Sequence, residues 1–115
     1  MRRRSLRPMK ATLSAFAVCV AFSDARADGA LHVAIENFVF DPPTIAARVG
    51  DHLIFVNHDE VPHSVVGSRD GAEVFRSVEQ MDTDESFEVL IDRPGEITIV
   101  CGLHGSMTGK IVVEP

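Results

Sequence analysis

Large apolar residues recur at every second position along much of this chain, which is typical of half-buried β-strands. The alternation is clearest in residues 31–36 and 86–91, where Leu, Val, Ile or Phe occupies every second position. Turn-forming residues such as proline, glycine and aspartate separate these segments from shorter β-prone ones. We predict strands over the following segments: 31–36, 44–49, 52–57, 63–67, 86–91, 96–101 and 109–113. Asp41-Pro42-Pro43 breaks the apolar run 38–40, which predicts a turn or a sheet edge there.

The remaining pattern after residue 27 contains no helical period of useful length. Residues 68–84 are polar and weakly patterned, so we predict a loop there with one short edge strand near Val74 and Phe75. The high content of β-branched residues in the apolar segments argues against buried helices. The pattern therefore predicts an all-β fold, a Greek-key β-sandwich or barrel of about seven to eight strands.

The first 27 residues differ from the rest of the chain. A basic start is followed by an apolar run of 12 residues, 11–22, and then by Ala25-Arg26-Ala27. This order predicts a secretory signal peptide, residues 1–27, that is cleaved before Asp28. The apolar run is shorter than the roughly 20 residues that a membrane span needs. Arg3-Arg4 hints at twin-arginine export, but we expect ordinary secretion, because paired arginines are common in basic leaders.

Cleavage would leave one acidic domain, residues 28–115. Residues 1–27 hold six of the 11 Lys and Arg and one of the 17 Asp and Glu. The mature chain then carries 5 basic and 16 acidic side chains, a net charge of −11 with neutral histidines. This charge disfavours binding to nucleic acid or to an anionic membrane. It either steers the chain toward a basic partner protein or simply keeps a secreted protein soluble, and the sequence favours neither over the other. We expect a monomer with no membrane span after the leader is removed.

One short loop gathers three side chains that suit a metal. Cys19 lies in the predicted leader, so Cys101 is the only cysteine of the mature chain, and His104 and Met107 follow it at intervals of three residues. A lone thiol in an oxidising compartment is either buried and inert or bound to a metal. Thiolate, imidazole and thioether suit copper in both oxidation states. His63, which follows Pro62, is the best candidate for the fourth ligand.

Each of these residues by itself has a simpler interpretation. A methionine is more often core filler, a cysteine is more often a small buried residue, and a loop histidine is often only polar. Zinc could bind one cysteine and two histidines with a water, but methionine is not a usual zinc ligand. The combined spacing favours copper. We assign no role to Met81 in its polar loop, and we expect His32, His52 and His58 to lie at the surface.

Three motifs carry a resemblance to a known family: Val49-Gly50-Asp51, Asn57-x-Asp59-x-x-Pro62-His63 and Cys101-x-x-His104-x-x-Met107-x-Gly109-x-Ile111-x-Val113. Most of residues 31–115 resembles a cupredoxin, a small blue copper protein, and the ligand loop is most similar to the amicyanin and plastocyanin type. The resemblance implies one copper ion, held equatorially by His63, Cys101 and His104 and axially by Met107. It also implies single-electron transfer between periplasmic partners, with a dehydrogenase as donor, a c-type cytochrome as acceptor and the loop histidine as the exit.

Three residues depart from this resemblance. Ser64 stands where many relatives have asparagine, Ile99 where an aromatic residue is common, and Gly105 where amicyanin-type loops have proline. We expect the Ser64 N–H to reach the sulfur of Cys101, but the amide bridge to the ligand loop is missing. Gly105 predicts a softer loop, so the reduction potential and the partner surface are expected to differ.

These observations support one principal function and two alternatives. The principal hypothesis is a periplasmic electron carrier, not an enzyme, since no paired acids and no Ser–His–Asp order stand out. The first alternative is a copper-binding or delivery protein without a dedicated redox partner. No exposed Met-rich or His-rich arm, as expected for delivery, is evident. The second is a metal-free scaffold for protein contacts, which the complete ligand set disfavours.

Overall fold

The computed structural model describes residues 30–115. The predicted signal peptide, residues 1–27, and its cleavage point before Asp28 lie outside the described residues. The described chain forms nine strands: β1 Ala30–Glu36, β2 Val39–Asp41, β3 Thr44–Arg48, β4 His52–Asn57, β5 Val66–Arg69, β6 Ala72–Arg76, β7 Ser86–Leu90, β8 Gly95–Val100 and β9 Thr108–Glu114. Residues 30–115 contain no helix, and hence none that could span a membrane.

The strands form two sheets that pack face to face. One sheet has the order β2-β1-β4-β7 and the other the order β3-β9-β8-β5-β6. The pairs β1–β4 and β3–β9 are parallel, and the remaining pairs are antiparallel. Because successive side chains of a strand point to opposite faces, each sheet turns one apolar row inward. The predicted all-β sandwich is therefore confirmed, with nine strands rather than seven to eight.

The core lies between the two inward faces. Strand β4 shows the alternation clearly, since Leu53 and Phe55 are fully buried while Ile54 and Val56 are half-buried on the outer face. The opposite sheet contributes Ile111 of β9, which is also fully buried. Burial of these side chains is the main stabilising term of such a domain.

Two strand predictions need comment. The short edge strand near Val74 and Phe75 is confirmed as β6, which lies at the end of its sheet. The strand predicted over 63–67 is wrong at its start, because β5 begins only at Val66. His63 instead forms an isolated bridge with Met81. His63 thus pairs with a loop rather than with a sheet neighbour, and this pairing places it at one end of the sandwich.

Candidate metal centre

Cys101 follows directly after β8 and opens a tight loop that returns the chain to β9. Three backbone hydrogen bonds close this loop: Cys101 N–H to the Met107 carbonyl at 3.0 Å, Met107 N–H to the His104 carbonyl at 2.9 Å and His104 N–H to the Cys101 carbonyl at 3.3 Å. Because β8 and β9 are paired along their length, the loop ends cannot move apart. The ligand candidates of the loop are therefore held by two strands.

His63 enters the same region from a distant part of the chain. Its ring is fully buried, and its backbone exchanges two hydrogen bonds with Met81, at 3.1 and 2.8 Å. The view of Met81 as a residue without a role is wrong, because its side chain is 1% exposed and belongs to the core. The polar residues around Met81 obscured this burial in the sequence.

The donor atoms of His63, Cys101 and His104 converge. The two Nδ1 atoms are 3.2 Å apart, and the sulfur of Cys101 lies 3.8 Å from the Nδ1 of His63 and 3.6 Å from that of His104. A point equidistant from these three atoms lies about 2.1 Å from each, within the range of roughly 2.0–2.3 Å for metal–nitrogen and metal–sulfur bonds. The three side chains thus form a group that could hold a metal ion. Two imidazoles and one thiolate are the equatorial donors of blue-copper sites.

Met107 lies in the same loop and is 2% exposed, packed with the core residues. Its position next to the closing bond of the loop is consistent with the predicted axial role, which remains a prediction. His104, in contrast to His63, is only half-buried. The edge of His104 is therefore the part of the group nearest to solvent.

Ser64 links the two segments that carry the donor groups. Its backbone N–H points at the sulfur of Cys101 at 3.4 Å, as expected. Its hydroxyl oxygen accepts a hydrogen bond from the Gly102 N–H at 2.8 Å. The amide bridge is absent, as expected, but the serine hydroxyl makes a bridge of its own to the ligand loop. A Cβ atom at residue 102 would lie 2.8 Å from the Ser64 oxygen, so any other residue there would force the serine hydroxyl to shift.

Asp59 is a residue whose role the sequence did not reveal. One of its carboxylate oxygens lies 2.7 Å from Nε2 of His63. Burial raises the pKa of Asp59, but hydrogen bonds from the Phe38 and Asn37 N–H groups and from His63 outweigh it, and the pKa lies below its usual value of 3.8. Asp59 is therefore ionised at neutral pH. Its signals in the sequence were its place in the motif Asn57-x-Asp59-x-x-Pro62-His63 and its spacing of four residues from His63.

The other histidines and acids behave as expected. His32 and His58 are exposed, and His52 lies half-exposed with its Nδ1 2.7 Å from a carboxylate oxygen of Glu88. The acidic segment 82–85 is exposed, in keeping with a solvated loop. Among residues 30–115, only His63, Cys101 and His104 form a cluster of metal-binding side chains.

Comparison with known proteins gives one consistent result. Residues 27–114 match the family described as copper binding proteins, plastocyanin/azurin family. The chain is 31% identical over 97 residues to amicyanin of Paracoccus versutus, a match that covers 83% of this chain and 72% of the relative. It is 28% identical over 88 residues to amicyanin-alpha of Methylorubrum extorquens, covering 75% and 73% of the two chains.

The fold gives the same answer. A solved structure of a reduced amicyanin variant superposes with a TM-score of 0.68 at 27% identity, covering 76% of this chain and 85% of that chain. The nine-stranded sandwich is thus the amicyanin fold, and the cluster of two histidines and one cysteine lies in it as a candidate copper site. From its sequence and its fold alike, the chain belongs to the plastocyanin/azurin family of copper-binding proteins, as a cupredoxin of the amicyanin type.

Proposed function

We propose that the mature chain is a periplasmic type 1 copper protein that carries single electrons between redox partners. The observation that carries this proposal is the convergence of two imidazole nitrogens and one thiol sulfur within 3.2–3.8 Å of one another. Membership of the plastocyanin/azurin family and similarity to amicyanins support it. The proposal assigns the chain no enzymatic reaction.

In this proposal His63, Cys101, His104 and Met107 would hold one copper ion. When bound, copper supplies a one-electron couple, and mixed nitrogen and sulfur donors suit both of its oxidation states. The residues of the chain hold the donor atoms in place. His63 is fixed by its backbone bonds to Met81, and Cys101 is fixed by its strand and by the Ser64 N–H.

Restraint of the donor groups matters because electron transfer is fast only when the geometry of the site changes little between the two oxidation states. The ligand loop is closed by three backbone hydrogen bonds. The bond from Gly102 to the Ser64 hydroxyl ties the loop to the segment that carries His63. The N–H of Ser64 directed at the sulfur stabilises the thiolate and thereby tunes the potential.

The exit for the electron in this proposal is His104. His63 is fully buried, whereas His104 is half-buried and its neighbour Leu103 is 43% exposed. A partner protein can approach the site most closely at this end. A dehydrogenase donor and a c-type cytochrome acceptor fit the amicyanin resemblance, and the net charge of −11 favours a basic partner surface. The carrier is expected to be monomeric and to be exported through the cleaved leader, residues 1–27.

The test is to add Cu(II) to the purified mature protein and to record its visible spectrum and reduction potential. An intense thiolate-to-copper band with reversible one-electron cycling is the expected result. Tight, colourless binding of Cu(I) without a reversible couple would refute the carrier in favour of copper delivery. Replacement of Cys101 by serine is the control: colour that persists in Cys101→Ser would contradict the ligand assignment.

A further inference from the structure

The carboxylate of Asp59 accepts hydrogen bonds from three groups that belong to two distant segments. One oxygen accepts the Asn37 N–H at 2.7 Å. The other accepts the Phe38 N–H at 3.0 Å and lies 2.7 Å from Nε2 of His63. An ionised carboxylate has no proton to donate, so it accepts in all three bonds. Asp59 thus joins the turn between β1 and β2 to the ring of His63.

The backbone of Asp59 is itself held in place. Its N–H donates to the Oδ1 of Asn57 at 2.9 Å, and its carbonyl accepts the hydroxyl of Thr83 at 2.6 Å. The amide of Asn57 is buried and donates to the carbonyls of Met81 and Val61. The carboxylate is therefore presented in a fixed direction.

The bond to Asp59 decides which nitrogen of His63 carries the proton. Because the carboxylate can only accept, Nε2 carries a hydrogen, and in the neutral ring Nδ1 then keeps its lone pair. That lone pair is directed toward the Cys101 sulfur and the Nδ1 of His104. The tautomer that a metal requires is thus set before any metal binds.

The same carboxylate holds an unfavourable turn. Asn37 and Phe38 have φ angles of 55° and 60°, in the left-handed region. A two-residue hairpin loop needs this conformation, which asparagine tolerates well and phenylalanine poorly. Both residues donate their N–H groups to Asp59, so this carboxylate compensates the strain of the turn.

This turn places the ring of Phe38 across both histidines. Its centroid lies 5.1 Å from that of His63 and 5.1 Å from that of His104, and both ring pairs meet edge to face. The side chain is nevertheless 49% exposed. Phe38 therefore lies between the histidine pair and solvent, and its backbone is bonded to Asp59.

We propose that Asp59 is a positioning residue that sets the tautomer of His63 and the placement of Phe38 over the metal centre together. The inference rests on the proposed copper site and adds to it a group that controls both the direction of one ligand and the access of water. Loss of the carboxylate would disturb both features at once, although Asp59 is not itself one of the proposed ligands.

The variant Asp59→Asn tests this role with almost no change in size. An amide offers one oxygen to three donors, and its NH₂ group must face at least one of them. Either the turn or the ring of His63 then meets a donor instead of an acceptor. Asp84→Asn is the matched control, because it removes one negative charge from an 83% exposed side chain whose carboxylate lies 3.9 Å from the ring of His58.

The first measurement uses the metal-free mature proteins at neutral pH. Long-range ¹H–¹⁵N correlation spectra report the tautomer of His63, and hydrogen exchange reports the protection of the Asn37 and Phe38 amides. We expect the Nε2–H tautomer in the wild type and in Asp84→Asn. In Asp59→Asn we expect a raised Nδ1–H population and amide exchange faster by about tenfold or more, the scale of a lost hydrogen bond to a charged group.

The second measurement uses the copper-loaded proteins. We expect Asp59→Asn to shift the reduction potential more than Asp84→Asn does. Phe38→Leu should keep the His63 tautomer in the metal-free protein. In the Cu(II) form it should increase the relaxation rate of water protons, because water then comes closer to the metal. Failure of the wild type to develop the blue band would refute the proposed function, while the metal-free spectra would still decide the role of Asp59.

Two results would overturn the inference. One is an Nδ1–H tautomer of His63 in the metal-free wild type, which needs no variant to fold. The other is an Asp59→Asn protein whose His63 tautomer and amide exchange equal those of Asp84→Asn.

Discussion

Gly67 offers the sharpest test of the packing between the two sheets. It is buried in β5, opposite Phe75 of β6 on one side and Ile99 of β8 on the other. A Cβ atom at this position would lie 2.5 and 2.7 Å from the two Cε atoms of the Phe75 ring. Carbon atoms normally pack at about 3.5–4.0 Å, so Gly67→Ala would force this ring to move by about 1 Å.

The half-buried ring of Phe75 lies against two other aromatic rings. Its centroid lies 6.5 Å from that of Phe55 and 6.0 Å from that of Phe87. Overpacking of a core costs about 1–3 kcal/mol, and the lower backbone entropy of alanine in the unfolded chain returns about 0.4–1 kcal/mol. We therefore expect a net loss of about 1–2 kcal/mol, which corresponds to a Tm lower by roughly 4–16 °C for a domain of this size.

The assay is thermal unfolding of the metal-free protein, followed by far-ultraviolet circular dichroism, because the chain contains neither Trp nor Tyr. Gly105→Ala is the control, since a Cβ atom there meets nothing within 4 Å. Its Tm should equal that of the wild type or exceed it slightly. Phe75→Leu in the Gly67→Ala background should relieve the clash. Equal Tm values for Gly67→Ala and Gly105→Ala would refute the packing argument.

Three further predictions concern the metal centre. Ser64→Ala removes the acceptor of the Gly102 N–H, and guanidinium unfolding should show a loss of about 0.5–1.5 kcal/mol while the blue band remains. Met107→Leu should keep the blue band but raise the reduction potential in voltammetry, because the axial donor that favours the oxidised ion is lost; an unchanged potential would contradict the axial assignment. The low pKa of Asp59 stabilises the fold above pH 4, and this contribution is lost as the pH falls through the folded-state pKa. The free energy of unfolding of the metal-free protein, measured with urea, should therefore depend on pH less steeply in Asp59→Asn than in the wild type between about pH 5 and pH 2.

Much of the fold could be predicted because strand signals are local. Alternation within a segment reports which face is buried, and proline and glycine mark the breaks. The count of strands was less certain, since β2 has three residues and β6 lies at a sheet edge with mostly exposed side chains. The start of β5 was missed because His63 pairs with Met81 through backbone atoms, and such pairing leaves no pattern in the sequence.

The ligand candidates could be identified from the sequence, because Cys101, His104 and Met107 are neighbours in one loop and their chemistry is visible in their residue types. Their surroundings depend on how the chain folds. The acceptor role of Asp59 and the bridge from the Ser64 hydroxyl join groups that lie 4 to 38 residues apart. These are single hydrogen bonds between segments, and their partners are chosen by the packing of the two sheets. The pattern of residues along the chain therefore identifies the donor groups. The fold sets the direction of these groups, the tautomer of His63 and the shielding of the histidine pair by Phe38.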